Sequence, residues 1–214
     1  MVSDISRPHR SPAGTDQAAD TRTRVLRAVA DEVAAVGYEA ATLERIARRA
    51  GVPVGTVEAE GPRRELLVRA FELVFAGAEG ESALGDGPSA TVVEMLDDAD
   101  RMLQFATAFA ADAYARSMRL WEAFVVAAGT DPGVHDEYVA MAGRRRADMR
   151  RLLAMLTARG APRPSDAEHV LDVVELLYSH ESWRRLVEDR GWTRERWVAW
   201  TVRSALAVMD GALA

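Results

Sequence analysis

The stretch Thr42-Leu43-Glu44-Arg45-Ile46-Ala47-Arg48-Arg49-Ala50-Gly51-Val52-Pro53-Val54-Gly55-Thr56-Val57-Glu58-Ala59-Glu60-Gly61 decides the fold. Thr42 is a strong N-cap type, because its hydroxyl can accept from a backbone N–H of the first helical turn. Leu43, Ile46 and Ala47 follow at the spacing of one helix face. Gly51 closes that helix, since glycine takes the left-handed conformation without a Cβ clash. Pro53 opens a second short helix, packed by Val54 and Val57 and running to about Glu60, and Gly61-Pro62 breaks it. Two short helices joined by a glycine-centred turn make a helix-turn-helix, whose second helix enters a DNA major groove N-terminal end first.

Working outward, Thr21 to Val36 reads as a helix with Val25, Leu26, Val29, Val33 and Val36 on its buried stripe, ended by Gly37. Pro62 stands at the first turn of a fourth helix reaching about Glu79 on Leu66, Leu67, Ala70, Phe71 and Val74. Gly80 to Ser89, rich in Gly, Ser and Asp, marks a boundary. The chain therefore divides into a disordered tail (1–20), a helix-turn-helix head (21–80) and a helical body (81–214). In the body, Ser89 or Thr91 caps a helical run to Ala128 with a break near Ala110 to Asp112. Gly129 to Gly133 is a turn, Val134 to Arg159 a long helix, Ser165 to about Arg190 another, and Thr193 starts the last. Strand signals are weak throughout, so the fold class is all-α: a three- or four-helix head on a helical-bundle body for ligand binding and dimerisation.

The whole chain has 214 residues, 49% hydrophobic and 28% charged, which suits a packed core. Its net charge is −6, so any nucleic-acid contact must come from a local surface. The absence of cysteine excludes disulfides, zinc–thiolate sites and cysteine nucleophiles. No apolar run approaches the roughly 20 residues of a membrane span. No signal core is visible, which points to a cytoplasmic protein without a membrane partner. His9, His135, His169 and His180 do not fall at metal-ligand spacing on one helix, and no nucleophile elbow, phosphate loop or HExxH occurs. No metal, cofactor or enzymatic activity is expected.

The segments Gly37-Tyr38-Glu39-Ala40-Ala41-Thr42, Ile46-Ala47 and Gly51-Val52-Pro53-Val54-Gly55-Thr56-Val57 together resemble the head of TetR-family transcriptional regulators. At motif level the resemblance covers about residues 21–75, and beyond that only size and helical layout. It implies a homodimeric repressor whose two heads read a palindromic double-stranded operator and whose body binds a small molecule. Carried over, Thr42 touches a phosphate, Gly55 and Thr56 face the groove beside Pro53 and Val54, and Arg64 stands where the family has a phosphate-binding lysine. Arg45, Arg48, Arg49, Arg63 and Arg64 flank the groove. The sequence departs from the family at Glu58, Glu60 and Gly61, which replace two polar aromatics and an anchoring aromatic. Glu58 repels phosphate or, alternatively, accepts from a cytosine amine. From Thr21 to Gly80 the arginines equal the acids in number, nine to nine, where a DNA-reading module has a positive excess.

In the body, Met102, Phe105, Phe109, Met118 and Trp121 recur at helical spacing, and with Tyr178 and His180 they are the candidate lining of a pocket for a small apolar or aromatic effector. Each of them alone is equally an ordinary core residue. The last two long helices are apolar on more than one face, which favours a two-fold dimer through Val174, Tyr178, Trp197, Trp200, Ser204 and Val208 over packing of both faces inside one bundle. Two functions stay open: a ligand-responsive repressor bound to operator DNA as a homodimer, and a dimeric ligand-binding or protein-interaction module of the same fold whose DNA binding is weakened or lost.

Overall fold

The computed structural model describes residues 12–77 and 88–211, and among these every regular element is helical. The head comprises α1 (Pro12–Val36), α2 (Leu43–Ala50), α3 (Val54–Ala59) and α4 (Arg63–Ala76). The body comprises α5 (Pro88–Met95), α6 (Ala99–Ala128), α7 (Pro132–Ala158), α8 (Ala167–Leu177), α9 (His180–Trp183) and α10 (Arg194–Met209). No helix among the described residues is long and apolar enough to cross a membrane.

Local chemistry sets most boundaries. Thr42, Asp98, Asp131, Asp166, Ser179 and Thr193 each accept a backbone N–H of the helix they precede. Gly51 ends α2 at φ 66°, a left-handed cap whose N–H donates to the Ala47 carbonyl. In the head, Val25, Leu26, Val29 and Val33 of α1 are buried with Ile46 of α2, Val57 of α3 and Leu66, Leu67 and Ala70 of α4. Each of the Val, Leu and Ile side chains contributes about 1.5–3 kcal/mol by leaving water. In the body, α6 is the central helix, in contact with α1, α4, α7, α9 and α10.

Several expectations need correction. The first helix begins at Pro12, not Thr21, so residues 12–20 of the expected tail are helical, while 1–11 lie outside the described residues. That segment has almost no apolar periodicity, but its alanines allow a helix nucleated downstream to extend backwards. The fourth helix stops at Ala76 with Gly77 as its left-handed cap, short of Glu79. Most of the Gly80–Ser89 boundary lies outside the described residues, and Ser89 and Thr91 sit within α5. The break between Ser89 and Ala128 falls at Leu96–Asp98, and α6 runs unbroken through Ala110 and Asp112. There Ala110 and Ala111 are buried, and Asp112 holds Arg194 of α10 by two bonds of 2.5 and 2.8 Å. The expected helix from Ser165 to Arg190 is capped by Asp166 and splits after Leu177, with α9 running into a single π turn, Arg184–Glu188.

The candidate dimer surface also needs revision. Val174, Tyr178, Trp197 and Val208 are each 4% exposed or less within the single chain. Tyr178 and Trp197 belong to one ring cluster with Tyr114 and Trp183. Both apolar stripes of α10 are largely used inside the bundle, so of the six candidates only Trp200 and Ser204 keep accessible surface.

Candidate nucleic-acid interface and ligand cavity

The head places Pro53, Gly55 and Glu58 at the surface, with Val54 and Thr56 half-buried and Val57 fully buried. Thr42 lies exposed at the start of α2, its hydroxyl accepting from the Arg45 N–H at 3.4 Å. The cations around this face are mostly engaged. Arg45 and Arg49 each donate through Nε to one oxygen of Glu32, both at 2.6 Å. Glu32 is 2% exposed, and its carboxyl is held below the usual range by the Arg49 bond first, then by Arg45, against the opposing cost of burial. Arg63 stacks over the Tyr38 ring at 4.2 Å and pairs with Glu39 at 3.6 Å. Arg48 is exposed and has no ion pair among the described residues.

Arg64 stands apart. Its stem lies against Gly133 at the α6–α7 turn, so close that a Cβ at Gly133 would come to 3.0 Å of the Arg64 Cδ. Gly61, where an aromatic anchor was expected, occupies φ 125°, a region that side chains rarely adopt. Arg69 lies beside Gly61, donating to the Glu60 carbonyl at 2.8 Å and to Glu65 at 3.1 Å. Glu60 itself pairs with Arg22 at 3.8 Å rather than facing outward unanswered.

The body holds a cavity of about 380 Å³ roofed by the head's last helix. Phe71, Glu72, Phe75 and Ala76 of α4 form one wall, and Tyr114 and Trp121 of α6 a second. Tyr138, Met141, Ala142, Arg145 and Asp148 of α7 face them. Glu175, Leu176, Ser179, His180 and Glu181 close the remaining side, at the α8–α9 break.

That break is built by side chains distant in sequence. Ser179 caps α9 by accepting from Ser182 N at 2.9 Å and donates to the Leu176 carbonyl at 2.8 Å. The Tyr114 hydroxyl donates to the Tyr178 carbonyl at 2.7 Å and accepts from Arg145 at 2.8 Å. The backbone oxygen at the break is thus satisfied without water. Tyr178 lies behind the wall, its hydroxyl bonded to Thr107 of α6.

His180 stacks on Trp121 at 4.3 Å and meets Tyr114 edge-on at 4.6 Å. Ser117 donates to the Ala113 carbonyl at 2.7 Å, so its oxygen accepts from His180 Nε2–H at 3.0 Å. Burial, and secondarily the Arg145 charge, hold the imidazole well below its usual pKa and therefore neutral.

Of the expected pocket residues, Trp121 and His180 line this cavity. Met102 is fully buried core, Tyr178 is one layer back, Phe105 lines a separate groove against α10, and Met118 lies on the far side of Trp121. Phe109 packs under Arg116, 5.7 Å from its guanidinium carbon. Phe71, Phe75, Tyr138 and Arg145 were missed. Phe71 and Phe75 are four residues apart on α4, a spacing visible in the sequence, but that helix was assigned wholly to the head. Among the described residues, no group of three or more His, Asp or Glu is placed to hold a metal ion.

No protein-family model matches the chain, and no curated protein matches it. Solved structures do. A protein designated a transcriptional regulator from Pseudomonas aeruginosa PAO1 superposes with TM-score 0.71 at 18% identity, over 95% of this chain and 94% of its own. A transcriptional regulator from Rhodococcus sp. Rha1 gives TM-score 0.60 at 20% identity, over 90% and 95%. A protein designated a transcriptional regulator from Saccharomonospora viridis, solved in complex with choline, gives 0.61 at 15% identity, over 86% and 94%. At these identities the likeness establishes a shared fold along nearly the full length of each chain.

Proposed function

We propose that this chain is a ligand-responsive transcriptional regulator, a repressor that binds operator DNA as a homodimer and takes a small-molecule effector in the body cavity. The observation that carries this reading is the double role of α4. Its N-terminal half packs the helix-turn-helix through Leu66, Leu67 and Ala70, and its C-terminal half supplies the cavity wall through Phe71, Glu72 and Phe75. Arg116 of α6 donates to the last α4 carbonyls, at Val74 (2.7 Å) and Phe75, so the end of the helix is tied to the body. A ligand that displaces the wall rotates α4 against that anchor and with it the two reading helices. Occupancy then shifts the population of head spacings that fit a palindrome. The neighbours' designations and the choline bound in one of them support the same reading. The dimer surface that fits best is the outward side of α8 and α10, where Val173, Leu176, Trp200 and Leu206 remain accessible.

The charge-cancelled head favours a second reading, in which the fold is kept as a ligand-binding dimer and DNA binding is lost. Selection of fragments from random DNA by the full chain at low and moderate salt separates the two. An enriched inverted repeat supports the regulator, and no enrichment at either salt overturns it in favour of the second reading.

A further inference from the structure

We infer that the cavity selects a compact organic cation rather than a neutral or anionic ligand. The inference rests on the cavity being the effector site. Five aromatic rings stand in its wall: Phe71, Phe75, Tyr114, Trp121 and Tyr138. Ring faces carry partial negative charge and attract a cation placed within about 6 Å of their centres. Phe71 is tilted against Trp121 at 45° and Phe75 against Tyr114 at 55°, while Phe71 and Phe75 stack at 21°.

The charged groups point the same way. The lining carries four carboxylates, Glu72, Asp148, Glu175 and Glu181, against one guanidinium, Arg145. Arg145 is turned onto Tyr114, bonded to its hydroxyl and 5.7 Å from its ring centre. The arginines that answer Glu72 (Arg144, 3.5 Å), Asp148 (Arg151, 3.7 Å) and Glu175 (Arg146, 2.5 Å) do so from outside the lining. Glu181, at the rim, accepts from Trp121 Nε1 at 3.1 Å, which fixes a carboxylate beside the largest ring. His180 adds no positive charge, since burial keeps it neutral, and its ring is stacked on Trp121. An anion entering this space meets Glu181, which has no arginine partner among the described residues, and three carboxylates whose arginines stand outside the lining. A neutral ligand of the same shape gains burial but neither the ring nor the carboxylate attraction.

The test uses three probes of one shape on the full chain: choline, its neutral carbon isostere 3,3-dimethylbutan-1-ol, and the anion 3,3-dimethylbutanoate. Titration calorimetry should show choline binding about tenfold or more tighter than the alcohol, with the anion weakest. Glu72→Gln, an isosteric change whose folding is checked by thermal unfolding, should weaken choline several-fold and leave the alcohol unaffected. Equal or tighter binding of the alcohol or the anion overturns the charge preference and leaves the cavity an effector site. Binding of none of the three overturns both the preference and the assignment of the cavity. The DNA selection remains an independent measure of the head.

Discussion

The reading face of the head and the wall of the cavity treat charged residues in opposite ways. On the head, Arg45 and Arg49 share the buried carboxylate of Glu32 and Arg63 pairs with exposed Glu39, so much of the charge of these half-exposed arginines is answered by neighbouring acids. In the cavity, charged and polar groups keep aromatic rings apart and in place, with Arg145 on Tyr114 and Glu181 on Trp121. Paired charges thus cancel on one surface and hold rings in place on the other. The two regions meet in α4.

The largest effect is expected from Phe71→Ala. Phe71 is 4% exposed and lies within 6 Å, ring centre to ring centre, of Phe75, Trp121, Phe124 and His180. Its truncation enlarges a cavity that cannot collapse, and urea unfolding should show a loss of about 3–5 kcal/mol. A loss well under 1 kcal/mol would mean that α4 does not support the body.

Glu32→Gln comes next. It removes the charge that both arginines share in a buried position, and with half-exposed partners the cost is about 1–3 kcal/mol. Glu32 has a folded pKa below its unfolded value of 4.5, so its stabilisation is present above pH 4.5 and is lost as pH falls through the folded pKa. The variant should therefore unfold with a shallower pH dependence below 4.5. It should also bind DNA more tightly, because Arg45 and Arg49 are released. Unchanged DNA binding would break the contrast between the two surfaces.

His180→Phe tests the cavity side of that contrast. The folded pKa of His180 is depressed, so protonation favours the unfolded chain, and the wild type loses stability as pH falls below 6.5. The substitution should flatten the stability curve between pH 6.5 and 4.5, as read by thermal unfolding. An unaltered slope would place a charged, solvated imidazole there.

The smallest effect is expected from Glu58→Gln on the exposed reading helix. Removing one carboxylate at about 4 Å from a phosphate relieves on the order of 1 kcal/mol, or several-fold in DNA affinity at low salt. Weaker binding would show instead that Glu58 makes a base contact.

The head was largely legible from the sequence because its boundaries are local. Thr42, Gly51 and Gly61 act within a few residues of themselves, and the hydrophobic stripes of α1 and α4 hold the expected residues, except that Val36 at the end of α1 is exposed and Val74 half-buried. The body was less legible because its breaks depend on distant partners. The α8–α9 break is satisfied by Tyr114, 64 residues from Tyr178, and no local pattern contains that information. For the same reason, of the seven expected pocket residues only Trp121 and His180 line the cavity. The face that α6 turns inward is decided by α4 and α7, which cross it from other parts of the chain. Val174 and Tyr178 of the α8 end and Trp197 and Val208 of α10 are covered by their own bundle, which the pattern of either helix alone does not show.

Coupling between the cavity and the head is the central claim, and it can be tested without knowing the effector. Ala142→Trp places an indole at the α7 side of the cavity, opposite Phe71 and Phe75. If occupancy moves α4, this variant should keep the wild-type fold and lose affinity for the selected DNA by about tenfold, within the 5–150-fold range of ordinary coupling energies. DNA affinity equal to that of the wild type, in a variant shown to fill the cavity, would contradict the account.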